Sequence, residues 1–115
     1  MSLIRSLDQL ASAMDAAIEA LAKDRDMTLA TLEELRTEQS VVGIAHKRNV
    51  AQLRQGLTAA LNSLEVARGQ ARLEVFRALQ HEGQSIGQIA RLWGISRQLA
   101  SRLIRDHPSA PFARS

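Results

Sequence analysis

From Ser2 to about Lys23 the chain contains neither proline nor glycine, and Leu3, Leu7, Leu10, Met14, Ala17 and Leu21 recur at alternating intervals of four and three. That spacing predicts a helix with a heptad seam, which Ala11, Ile18 and Ala22 widen enough for a bundle as well as for a two-stranded coil. Asp24 then falls where the next apolar residue would sit. The segment 23–27 admits two readings: a turn, after which Asp26 or Thr28 caps a second helix, or one continuous helix with a polar skip. In both, Leu29, Leu32 and Leu35 extend an apolar face while Glu33, Glu34 and Glu38 make another face acidic. Residues 39–49 fit a loop, a short extended piece or a disturbed helix, with a boundary expected near Gly43.

From Val50 onward Leu53, Leu57, Ala60, Leu64, Ala67 and Ala71 alternate three and four without a miss, which predicts a long helix. Leucine alternating with alanine allows close helix approach, so this is a second seam for an oligomer or the inner face of a bundle. Gly56 and Gly69 lie off it. The next stretch, Arg72 to His81, presents Leu73, Phe76 and Leu79 on one face and ends at Glu82-Gly83.

The sharpest pattern lies in SIGQIARLWGISRQLASRLIRD, residues 85–106. Ser85 followed three residues later by Gln88 is a capping-box start, and Ile86, Ile89, Ala90 and Trp93 form one apolar face. Gly94 stands where that helix would end and tolerates the left-handed backbone of a sharp turn. Ile95 can plug the corner, Ser96 can cap a second helix, and Leu99, Ala100, Leu103 and Ile104 supply its apolar face. Arg97, Gln98, Ser101, Arg102 and Arg105 are left facing outward.

With Ala90 in the first helix, Gly94 in the turn, Ile95 after it, Ser96-Arg97-Gln98 opening the second helix and Leu103 closing the core, the segment resembles bacterial helix-turn-helix regulators. It is similar, too, to the C-terminal domains of site-specific recombinases and the promoter-reading domain of sigma factors. It departs from them at Ala100, where those families more often carry valine or isoleucine. The resemblance implies a three-helix DNA-binding unit in which 72–81 is the support helix and the N-terminal half of the second short helix enters the major groove. The outward residues suit that task, since arginine pairs bidentately with guanine and glutamine with adenine. Arg97 and Gln98 are the expected base readers, with Ser101 and Arg102 next. Arg91 and Arg105 are assigned to phosphate, and Ser96, included in the DNA-facing set, is better explained as a cap.

Charge sharpens this division. Residues 1–43 carry four basic against eight acidic side chains, whereas 44–115 carry eleven against four, within a total of +3. A basic second half is the footprint of a module that displaces counterions from phosphates; an acidic first half is better used against protein. His46-Lys47-Arg48 reads as solvated surface. Only Phe76, Trp93 and Phe112 are aromatic, so any core rests on Ala, Leu, Ile and Val.

Catalytic and metal chemistry find no support. The chain has no cysteine, and His46, His81 and His107 stand at no metal-binding spacing. A phosphate loop and a nucleophile with a recognisable base are both missing. No cofactor and no enzyme activity are expected. The absence of a long apolar run and the early acids argue against a membrane span or secretory signal and for a cytoplasmic protein at the bacterial nucleoid.

The sequence therefore predicts an all-α chain: an acidic, coiled-coil-like oligomerisation region (1–43), a long connecting helix (44–70), a three-helix DNA-binding domain (71–106) and a flexible tail (107–115). Leu3, Leu7, Leu10, Met14, Ala17 and Leu21, with Leu53, Leu57 and Leu64, are the expected dimerisation residues. The expected partners are double-stranded DNA and a second copy of the chain, as a dimer or a tetramer. The expected function is that of a homodimeric, sequence-specific transcriptional regulator. Two rival readings share these features: an architectural DNA binder with little sequence preference, and an adaptor whose acidic N-terminal face holds a protein partner.

Overall fold

The computed structural model describes residues 2–37 and 39–106; Glu38, the 107–115 tail and its His107, Phe112 and Arg114 lie outside the described residues. The described chain is all-α, with five helices and no strand among those residues. They are α1 (Ser2–Arg36), α2 (Val41–Arg48), α3 (Val50–His81), α4 (Ile86–Trp93) and α5 (Arg97–Asp106).

α1 runs 35 residues without a break, which settles the reading of 23–27. Thr28 is no cap, because its Oγ1 donates to the Asp24 carbonyl 2.8 Å away, one turn back in the same helix. With no glycine or proline to end it, the helix passes through KDRD and stops only beyond Arg36. There Thr37 bonds back to the Glu33 and Glu34 carbonyls and Gln39 to Glu34.

The interruption thus falls at 37–40 and not at Gly43. Ser40 is extended (φ −71°, ψ 137°), and its hydroxyl accepts the Gly43 N–H at 2.9 Å, which makes it the N-cap of α2 and places Gly43 inside that helix. Glu34 reaches across the gap to the Lys47 ammonium and the Arg48 guanidinium. Glu34 is thereby largely covered, while Glu33 stays exposed on the acidic face. Of the basic cluster expected as solvated surface, His46 and Lys47 are exposed, whereas Arg48 is half-buried in its ion pair. The two cations hold the Glu34 carboxyl below the usual carboxylate range, chiefly through the hydrogen bonds from Lys47 and Arg48.

The predicted connecting helix and support helix are one element. α3 has no proline and tolerates both of its off-seam glycines, so nothing divides it near residue 70. The divide comes earlier, at Asn49, whose left-handed backbone (φ 52°, ψ 58°) ends α2 one residue before α3 begins. Asparagine tolerates that conformation better than most residues, and its Nδ2 donates to Gln52 Oε1 at 2.7 Å.

Two compact units divide the described chain: residues 2–10 with 66–106, and residues 11–65. The first holds the larger core, in which Phe76, Ile89 and Ala100 are fully enclosed with Leu73, Ala71 and Ala90 beside them. The second is centred on Ala17 and Ile44. The expected seam residues part company here. Leu3, Leu10, Leu53, Leu57 and Leu64 are half-buried and Ala17 is buried, whereas Leu7, Met14 and Leu21 are exposed. No described helix is long and apolar enough to cross a membrane.

Candidate nucleic-acid interface

The site is built by local chemistry at each joint of 79–99. α3 ends on Gly83 (φ 95°), with the Gln84 N–H bonded to the Leu79 carbonyl at 2.9 Å and the Gly83 N–H to Gln80 at 3.0 Å. α4 ends the same way on Gly94 (φ 75°), with Ile95 N–H to Ala90 at 3.0 Å and Gly94 N–H to Arg91 at 3.3 Å. Both are Schellman ends, which satisfy carbonyls that the helix leaves unpaired and reverse the chain within two residues. A side chain at either glycine would meet no neighbour, so the requirement is conformational and not steric.

Between these turns the predicted capping box is complete. Ser85 Oγ accepts the Gln88 N–H at 3.1 Å, and Gln88 Oε1 accepts the Ser85 N–H at 2.8 Å. Gln88 is thus tied to the backbone instead of pointing freely to water. Ser96 Oγ accepts the Leu99 N–H at 3.0 Å and opens α5. Its role as a cap is visible; its lone pairs are turned to its own helix.

Packing then fixes which face of α5 looks outward. α4 and α5 pack on one another, and Ala100 is 0% exposed. A valine or isoleucine there would add bulk to a site already closed. Leu99, Leu103 and Ile104 are half-buried around it. Trp93, expected on the inner face, keeps 43% of its surface exposed but sets its ring against that of Phe76 of α3. The side chains that remain are Arg97, Gln98, Ser101, Arg102 and Arg105, and these five line one shallow depression on the surface. Arg97, Gln98, Arg102 and Arg105 are exposed and Ser101 is half-buried among them. Arg91 is exposed in the last turn of α4.

The depression holds three guanidiniums, one amide and one hydroxyl, and no carboxylate. Such a surface offers many donors to an anionic, acceptor-rich ligand. No cluster of three or more metal-ligating side chains occurs among the described residues. Sequence reasoning missed Leu92, which lies beside Arg91 with 66% of its surface exposed; its place off the apolar face of α4 was the available signal. No family model, curated protein or solved structure matches the chain significantly.

Proposed function

We propose that this chain is a homodimeric, sequence-specific DNA-binding regulator, and that α4 and α5 act as a helix-turn-helix with α5 as the reading helix. The observation that carries this reading is the convergence of Arg97, Gln98, Ser101, Arg102 and Arg105 on one open face of a helix whose opposite face is closed at Ala100. A short helix anchored on one side and donor-rich on the other fits a major groove about 12 Å wide.

The charge of the unit agrees. Residues 2–10 and 66–106 hold eight arginines against four acidic side chains, which favours phosphate on either side of the groove. Arg97 and Gln98, in the first turn of α5, are the base readers, Ser101 and Arg102 the next contacts, and Arg91 and Arg105 hold the backbone. A single helix supplies few base contacts, each bidentate pair contributing about 1–3 kcal/mol of discrimination. Two copies joined in one molecule make the second binding event effectively intramolecular.

The test is selection of sites from a randomised duplex pool at physiological salt, with the wild type beside an Arg97→Ala, Arg102→Ala variant. Enrichment of a two-fold symmetric motif that the variant loses supports the reading. Retention of DNA without an enriched motif would replace it with an architectural binder, and no retention would shift it to a protein adaptor.

A further inference from the structure

α1 carries two interleaved heptad stripes within residues 11–36. The inner one steps through Ala13, Ala17, Ala20, Asp24, Met27 and on to Glu34, all half-buried or buried. It is made largely of small or polar side chains, and Ala20 and Asp24 share a groove with Leu53 and Leu57 of α3. The outer stripe lies one residue on, about 100° around the helix. It consists of Ala11, Met14, Ile18, Leu21, Arg25, Thr28, Leu32 and Leu35, every one exposed. Its large members keep 42–64% of their surface open to solvent. On α3, Leu53, Leu57 and Leu64 are half-buried and Leu73 is buried, leaving Leu61 exposed, whereas every leucine of the outer stripe is exposed.

We propose that a second copy of this chain covers the outer stripe in an antiparallel two-helix joint, with Ala11 of each copy opposite Leu35 of the other. Two properties of the stripe select this occupant and this direction. The first is size. Reversing the helix about its midpoint sets small against large, Ala11 against Leu35 and Thr28 against Ile18, and pairs Met14 with Leu32. A parallel in-register pair sets alanine against alanine and threonine against threonine, leaving two thin layers beside overfilled ones.

The second property is charge. A parallel pair brings both Arg25 guanidiniums into one core layer, where like charges repel. The antiparallel register places each Arg25 against Leu21 of the other copy, with its head free to reach solvent beyond the aliphatic stem. It also brings Asp15 and Arg36 of the two copies onto the same flank. The match is of the stripe to its own reverse, which is what a two-fold symmetric interface requires. The dimeric reading under Proposed function leads to this joint, yet the joint is tested without DNA, so either can fail alone.

The full chain is sedimented at tens of micromolar beside an Ile18→Lys, Leu21→Lys variant, whose changes fall on exposed positions. A wild-type dimer and a variant monomer of equal helicity are expected. A monomeric wild type, or a variant that remains dimeric, overturns the proposal. Direction is read separately, because the chain has no native cysteine. Oxidising a mixture of Ala11→Cys and Leu35→Cys chains should join the two kinds to each other; joining of like to like at position 11 would overturn the antiparallel register. Failure of the site selection with the dimer intact would reject the DNA reading and leave the joint standing.

Discussion

The rings of Phe76 and Trp93 meet edge to face, with centroids 5.2 Å apart and planes at 87°. This contact joins the last turns of α3 to the last residue of α4, immediately before the Gly94 turn. Aromatic pairs in this geometry contribute about 0.5–1.5 kcal/mol beyond the area they bury. Phe76 is fully enclosed and Trp93 is not, so the two should differ sharply on truncation. Phe76→Ala is expected to lose about 3–5 kcal/mol in chemical unfolding, and Trp93→Ala clearly less. Far-UV circular dichroism follows the transition in both variants, since Trp93→Ala removes the sole tryptophan; equal losses from the two would contradict the packing described.

Gly94 tests the turn. Its positive φ with open space around it means that Gly94→Ala suffers from conformation alone, at about 1–2 kcal/mol. Ser85→Ala removes one half of the capping box and should lose about 1 kcal/mol. Thermal unfolding with calorimetric detection measures both, and a neutral Gly94→Ala would argue against the left-handed turn.

Salt dependence separates the assigned roles on the DNA face. Arg91→Ala should lower the slope of log K against log salt by about 1 and weaken all sequences alike. Arg97→Ala should flatten the preference at one position of the site. Titrations of a selected site and its single-base variants at several salt concentrations distinguish the two, and an unchanged preference in Arg97→Ala would remove that residue from the reading role.

Glu34 makes stability depend on acid. Its carboxyl is held below the usual range by the hydrogen bonds from Lys47 and Arg48. The folded state therefore binds the proton less well than the unfolded state does, and stability rises with pH through this region. The contribution is fully present above the ordinary glutamate range, near pH 4.3, and is lost as pH falls through the depressed value. Urea unfolding of wild type and Glu34→Gln between pH 3 and pH 7 should converge at the acid end and separate toward neutrality. Parallel curves would count against the ion pairs.

What the sequence disclosed followed the range over which each signal acts. The α4–α5 segment was legible almost to the residue because its determinants are local: Ser85 with Gln88, Gly94 two residues before the Ser96 cap, and apolar spacing over only two or three turns. α1 was legible as a helix but not in its facing. Leu3, Leu7, Leu10, Met14, Ala17 and Leu21 fit one heptad, yet the chain divides them between two stripes a single residue apart. Only the partner on each side makes that choice. Asn49 was silent for a different reason, since an asparagine between helix-forming residues gives no sign of a left-handed backbone until the helices on either side have been placed. At Gly43 the glycine drew attention from Ser40, whose hydroxyl sets the true start of α2.

The unit that carries α4 and α5 also contains residues 2–10, where Ser6 is buried. Its pieces are therefore separated in the chain by the whole of the other unit, residues 11–65. At about 5–20 residues per second, the opening turns of α1 leave the ribosome seconds before the residues they pack against exist. This unit cannot complete its fold until translation has passed α5. A deletion within residues 2–10 should accordingly be felt in α4 and α5, far away in sequence but in the same unit.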